Sequence, residues 1–310
     1  LGGYCFYDKD FTKELDEPRF VEQINVTNNV FTPNAKILEI NSKSGLYPLY
    51  VTYSIYRAKL QNLLFACDSI EEQQRVWDEV VRENIFVICK TQMAKSITRR
   101  TLLGFRNGKC NMHAFDDLIN QIKNNQKELI ERINKGQVFK RFKDMKFNAI
   151  VGNPPYQLTG ASGGNNDAPI FQDFGKLSHS LTGQYVSLII PSRWFTAGRE
   201  NLLGEFRKDM LNCGHIELLK TYTDAKDVFS NVEIKGGICY YLYNKLHSGL
   251  CEYTLCKGKN IERKDVNLAE FDIFIREPRL AEIVKKVTEK TKLNQIGFVD
   301  SIISNDTPFG

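Results

Sequence analysis

An α/β fold with a mostly parallel central sheet is the architecture this sequence predicts, and three observations carry it. Apolar runs of strand length alternate with helix-length stretches through most of the chain. Two of those runs stop abruptly on turn-forming clusters, Asn41-Ser42-Lys43-Ser44-Gly45 and Gly152-Asn153-Pro154-Pro155, which places both turns at strand ends. The 310 residues are 42% hydrophobic and 25% charged, so the chain can bury a full core as one large domain with an appendage.

Residues 1 to 35 are aromatic and irregular, with Tyr4, Phe6, Tyr7, Phe11 and Phe20 among charges, and are expected to pack on the core. Lys36 to Ile40 reads as a strand, followed by the tight loop to Gly45 and a helix-length stretch from Leu46 to Gln61. Glu71 to Asn84 is polar and helix-favouring, and Ile85 to Cys89 is a second strand that runs into Lys90-Thr91-Gln92. Cys110 to Leu118 forms the next segment, with Asp116 and Asp117 at the start of a helix continuing to Lys135. Acids are favoured at helix starts by the helix dipole, so that pair has a structural reading as well as a binding one.

Phe147 to Val151 has the length and composition of a buried strand. The loop from Leu158 to Asp167 is too rich in Gly, Ser and Asn to pack alone. Pro169 to Leu181 reads as a helix and Tyr185 to Pro191 as a strand. Thr196 to Leu211 reads as an amphipathic helix with Leu202, Leu203, Phe206 and Met210 on one face. His215 to Thr221 and Gly237 to Tyr243 read as antiparallel strands around Asp227-Val228-Phe229-Ser230-Asn231-Val232. From Leu246 the sequence becomes charged and motif-poor, and Asn305 to Gly310 reads as a truncated ending.

Composition excludes several classes. No apolar run reaches the roughly 18 residues of a membrane span, and Leu1-Gly2-Gly3-Tyr4-Cys5 lacks the charged and apolar regions of a secretory signal. The eight cysteines show no C-x-x-C spacing, and with four histidines they form no zinc pattern, so they read as reduced thiols and no metal is expected. The net charge is +5, but Ile85 to Lys146 holds 14 bases against 5 acids. Such clustering suits a phosphate backbone, or equally a set of solvated helix faces.

The chemistry concentrates in Asn153-Pro154-Pro155-Tyr156. Two successive prolines fix φ twice, remove two N–H donors and push Asn153 into an extended conformation. The result is a rigid array of acceptors beside an aromatic plate. Asn153 Oδ1 and the Pro154 carbonyl can accept two N–H bonds from a planar amine while Tyr156 stacks on its face.

After an apolar strand, this tetrapeptide resembles the catalytic motif of S-adenosylmethionine-dependent N6-adenine DNA methyltransferases, in particular those of bacterial restriction-modification systems. The resemblance runs from about Lys36 to Lys245. Ile37-Leu38-Glu39-Ile40-Asn41-Ser42-Lys43-Ser44-Gly45 is similar to that family's cofactor loop, with Lys43 where a glycine is usual and Ile40 where a proline is usual. Val186 to Phe195 is similar to the segment that follows the catalytic turn in the DNA enzymes. The resemblance implies a Rossmann-like class I methyltransferase fold, mostly parallel, with an antiparallel strand pair at its C-terminal end. It implies S-adenosyl-L-methionine as cofactor, held by Glu39 at its ammonium, by Asn41 and Gly45, and by Asp116 or Asp117 at its adenine amine. Lys90 stands where a ribose-binding acid is usual. Asn153, Pro154, Pro155 and Tyr156 are implied to be catalytic, and Phe229 to contact a flipped base, with a core phenylalanine as the plainer reading.

The implied partner is double-stranded DNA, with restriction or specificity domains of a parent protein, in the bacterial cytoplasm and away from any membrane. The implied organisation is an extension over 1–35, a catalytic domain over 36–245 and the start of a target-recognition or linker region over 246–310. Two other readings stay open: methylation of glutamine or of RNA bases, and a non-catalytic, DNA-engaging methylase fragment.

Overall fold

The computed structural model describes residues 30–62, 69–140, 143–144, 146–158, 168–196, 200–229 and 233–293. The aromatic extension up to residue 29, the loop at 159–167, residues 230–232 and the ending from 294 lie outside the described residues. The strands are β1 (Ile37–Ser42), β2 (Ile85–Cys89), β3 (Asn111–Ala114), β4 (Phe147–Gly152), β5 (Thr182–Pro191), β6 (Ile216–Tyr222), β7 (Ile238–Asn244), β8 (Cys251–Lys257) and β9 (Asn260–Val266). The helices are α1 (Leu46–Gln61), α2 (Ile70–Glu83), α3 (Gln92–Leu103), α4 (Leu118–Asn124), α5 (Gln126–Asn134), α6 (Phe171–Leu181), α7 (Glu200–Asn212) and α8 (Pro278–Leu293). None of them is long and apolar enough to cross a membrane.

All nine strands join one sheet in the order β3-β2-β1-β4-β5-β7-β6-β8-β9. The first five are parallel, β7 is antiparallel to both β5 and β6, and β9 is antiparallel to β8. The expected antiparallel pair is therefore present, and β8 and β9 continue the same sheet beyond it. Every residue of β1 and β2 is buried because helices cover both faces, which explains why those strands read as unbroken apolar runs. Leu38, Ile40, Phe86, Ile88, Ile150 and Val186 pack on one side with α4 to α7. Ile37, Ile85, Val87 and Ala149 pack on the other with α1 to α3.

Strand order reverses direction between β1 and β4: the chain builds outward from β1 to β3 and then returns to the far side of β1. Loops leaving the carboxyl ends of β1 and β4 must diverge to opposite faces, which opens a crevice between them. Both turn clusters found in the sequence sit there.

Three local expectations need correction. The single helix ending at Lys135 is two, α4 and α5, meeting at Asn125, whose φ of −126° and ψ of 32° are not helical. Consecutive Asn124 and Asn125 are poor helix formers, and Gln126 is pulled aside to donate to the Asp173 carbonyl at 2.9 Å. The helix expected from Thr196 begins at Glu200, because Ser192–Phe195 forms a 3-10 turn and Thr196 is extended. In α7, Leu203, Phe206 and Met210 are buried but Leu202 is 44% exposed. The buried face includes Arg207 instead, whose guanidinium donates to the carbonyls of Thr196 and Asp272.

Candidate active site

The pairing of β1 with β2 skips one residue: Ile40 opposes Ile88 and Ser42 opposes Cys89, leaving Asn41 as a bulge with φ of 68°. Asparagine tolerates this left-handed conformation better than most residues, and a bulge re-aims its side chain. The Asn41 amide consequently crosses to β4, where Nδ2 donates to the Asn153 carbonyl at 3.1 Å. One hydrogen bond thus joins the two motifs across 112 residues of sequence.

The rest of the β1 loop is fastened to α3. Ser42 and Thr98 share a hydroxyl bond of 3.0 Å, and Thr101 donates to the Ser44 carbonyl at 2.6 Å. Gly45 precedes α1 with φ of 80°, and a Cβ there would lie 3.0 Å from Thr98 Cα. Its lack of a side chain lets the loop seat on α3, and Gly45 itself does not line the cavity described next. Gly152 serves the same end from β4: a Cβ would stand 2.6 Å from the Ile40 carbonyl oxygen, so only glycine brings the Asn153–Tyr156 turn this close to β1.

A cavity of about 790 Å³ opens between these elements. Glu39, Asn41, Tyr47, Gly152, Asn153 and Phe229 converge on it, backed by apolar residues such as Leu49, Val51, Ala149 and Leu242, while exposed Lys43 also contributes to its wall. Such a mixture, mostly apolar with a few directed polar groups, is typical of small-molecule sites. Glu39 is only 4% exposed, and its Oε2 has no hydrogen-bond partner among the described residues. Burial raises its carboxyl to about 8, partly offset by a hydrogen bond from Ser42. Burial and the Glu39 charge together push the Tyr47 hydroxyl up to about 12.

Beyond Asn153, the turn exits along a second anchor. Ile170 N–H donates to the Tyr156 carbonyl at 3.3 Å, Gln157 bridges to Pro169, and Leu158 N–H donates to the Ala168 carbonyl. Tyr156 is half-buried, with its hydroxyl near Tyr47 and Cys239. Burial, reinforced by those two neighbours, raises it well above the ordinary phenol value.

Asp116 and Asp117 are placed elsewhere. Both are exposed and line a separate cleft of about 330 Å³ with Lys90 and Lys123 beyond the ends of β2 and β3. Asp117 already accepts from the Gln121 side-chain amide at 2.7 Å and does not cap α4. Of the residues lining the cavity, the sequence singled out Glu39, Asn41, Asn153 and Phe229 but not Tyr47 or Gly152, while Pro154, Pro155 and Tyr156 do not line it. The signal for Gly152 was a glycine ending an apolar strand directly before a rigid turn.

Residues 83–229 match the model of the Eco57I restriction-modification methylase family. An uncharacterized adenine-specific methylase of Mycoplasma pneumoniae is 34% identical over 133 residues, 42% of this chain. The match spans 31% of that relative's length. Among solved structures, the Type ISP restriction-modification enzyme LlaGI, bound to a DNA substrate mimic, is similar over 80% of this chain and 28% of its own, with 10% identity and a TM-score of 0.50. A type I restriction-modification methyltransferase subunit from Streptococcus thermophilus is similar over 87% of this chain and 53% of its own, at 14% identity and a TM-score of 0.44. The fold, a mostly parallel α/β sheet continued by antiparallel strands, is similar to that of the LlaGI enzyme.

Proposed function

We propose that this chain carries the catalytic core of a restriction-modification methyltransferase that methylates N6 of adenine in DNA, using S-adenosyl-L-methionine. The observation that carries this reading is the convergence of Glu39 and Asn153 on one cavity at the switch point of the sheet. The family match supports it, since residues 83–229 include the Asn153 to Tyr156 turn and Phe229.

The cavity's residues fit the cofactor. The buried Oε2 of Glu39, unpartnered among the described residues, suits an ammonium group, Tyr47 adds a polar contact, and the apolar wall suits the body of the molecule. When bound, the cofactor supplies an electrophilic methyl group. Everything else falls to the chain. Asn153 Oδ1 and the Pro154 carbonyl accept the two hydrogens of the adenine amine and so turn its nitrogen lone pair out of conjugation. Phe229 and Tyr156 hold the faces of a base withdrawn from the duplex. Catalysis by orientation of this kind needs rigid acceptors, and two prolines supply them. Asp116 or Asp117 would receive the adenine end of the cofactor in the cleft beyond β3. The parent protein would add restriction or specificity domains and act in the bacterial cytoplasm; β8 and β9 belong to the catalytic sheet, so only the stretch after them would lead toward a target-recognition region.

Incubation with radiolabelled cofactor and adenine-containing duplex DNA tests this reading. Label recovered as N6-methyladenine after nuclease digestion is the expected result. Label in RNA or in protein glutamine, or cofactor binding without transfer, would overturn it in favour of the other acceptors or of a non-catalytic fragment.

A further inference from the structure

Two of the four residues of the catalytic turn, Pro154 and Pro155, have no N–H, so the carbonyls around them depend on donors from outside those two residues. The exit is restrained by Ile170 and the bridge from Gln157 to Pro169. The entrance pairs with Ile40 and Leu188 as far as Gly152. Between these anchors, the Asn153 carbonyl accepts from Asn41 Nδ2, and Asn41 is itself 4% exposed and set in a bulge at φ of 68°.

We propose that Asn41 is a positioning residue of the catalytic turn: its amide, re-aimed by the bulge that ends β1, fixes the peptide plane between Asn153 and Pro154. This rests on the function proposed above. With that plane held and the Pro154 ring locking the next φ, only ψ of Pro154 remains to orient its carbonyl. The same bond fixes the backbone from which the Asn153 side chain projects. Because Glu39 lies two residues before Asn41 on the same strand, the segment that would hold the cofactor and the one that orients the acceptor turn are a single rigid piece. A one-residue slip of the bulge would break that relation, since it would return the Asn41 side chain to a face of the sheet.

Two substitutions isolate the donor. Asn41→Gly removes it while accepting the left-handed φ, and Asn41→Asp keeps the shape and tolerates that φ but presents only acceptors to a carbonyl. Amide hydrogen exchange of the peptide spanning residues 147–158, measured without cofactor, is expected to accelerate about tenfold in both variants while β2 stays at its wild-type rate. In methyl-transfer assays kcat is expected to fall about 10- to 100-fold, with the cofactor KM within about threefold of wild type. Wild-type exchange in this peptide, or a raised cofactor KM at unchanged kcat, would overturn the proposal; the latter would make Asn41 a cofactor contact instead. If the wild-type chain transfers no methyl group, the proposed function fails, and the exchange measurement alone still decides the role of Asn41.

Discussion

The carboxyl ends of β1 and β4 and those of β2 and β3 lie along one edge of one sheet, and both bear acids, yet they are built differently. At β1 and β4, Glu39 is enclosed, one of its oxygens lacks a partner among the described residues, and the adjoining backbones are tied through Asn41. At β2 and β3, Asp116 and Asp117 stand in solvent, and Asp117 is already bonded to Gln121 on its own helix. Topology accounts for the contrast. Among the parallel strands β1 to β5, strand order reverses between β1 and β4, so there the two loops part and leave a crevice. An acid in that crevice is tuned by burial and poised for a cation, whereas an exposed acid contributes a weaker, solvent-screened interaction.

The largest effect should come from the enclosed end. Asn153→Ala removes an acceptor from the reacting amine and is expected to lower kcat by about 10²- to 10³-fold, with cofactor affinity unchanged, as steady-state kinetics would read. Glu39→Gln should weaken cofactor binding by about 1.5–3 kcal/mol, since a charge-assisted hydrogen bond becomes a neutral one. The same substitution changes stability with a definite sign. The folded carboxyl is raised from 4.5 to about 8, so between those values the folded state holds a proton that the unfolded state releases. Wild-type stability therefore falls as pH rises through that window, by on the order of a few kcal/mol, and levels off above it. Urea titrations of Glu39→Gln across this range should show a flatter profile.

Phe229→Ala should cost about 1–3 kcal/mol in affinity for adenine-containing DNA without altering cofactor binding, measurable by fluorescence anisotropy. The smallest effect belongs to the exposed end. Replacing Asp116 and Asp117 together with asparagine should change cofactor affinity by about 1 kcal/mol or less by calorimetry. A loss matching that of Glu39→Gln would break the comparison and move the centre of the site toward β3.

β1 and β2 were legible because burial on both faces leaves an apolar run that no loop imitates, and α1 from its length and the turn before it. β8 and β9, by contrast, were hidden in the charged stretch after Leu246, β9 being exposed along nearly all its length. The acceptor turn was legible because two prolines allow few conformations. What else stayed hidden depends on contacts distant in sequence. Asn41 read as a loop residue because its bulge exists only through pairing with β2, and its partner, Asn153, lies just past β4. Gly45 read as room for a ligand, but the neighbours that require it are Thr98 and Thr101 on α3. Tyr47 carries no local signature, since an aromatic near a helix start is commonplace; only the fold brings it beside Glu39 and Tyr156. Leu202 was misplaced because the buried face of α7 takes in Arg207, held by two backbone carbonyls, in its stead.

The measurement that tests the central claim most directly is calorimetric titration of the wild-type chain and Glu39→Gln with S-adenosylmethionine, in buffers of differing ionisation enthalpy below and above about pH 8. The account predicts one site of micromolar affinity. Well below that pH its heat should depend on the buffer, because the incoming ammonium expels the proton from Glu39, and this proton release should be absent from Glu39→Gln at the same pH. Equal affinity in the two proteins with no proton release, or no binding by the wild type, would contradict the claim that the enclosed end of the sheet is the cofactor site.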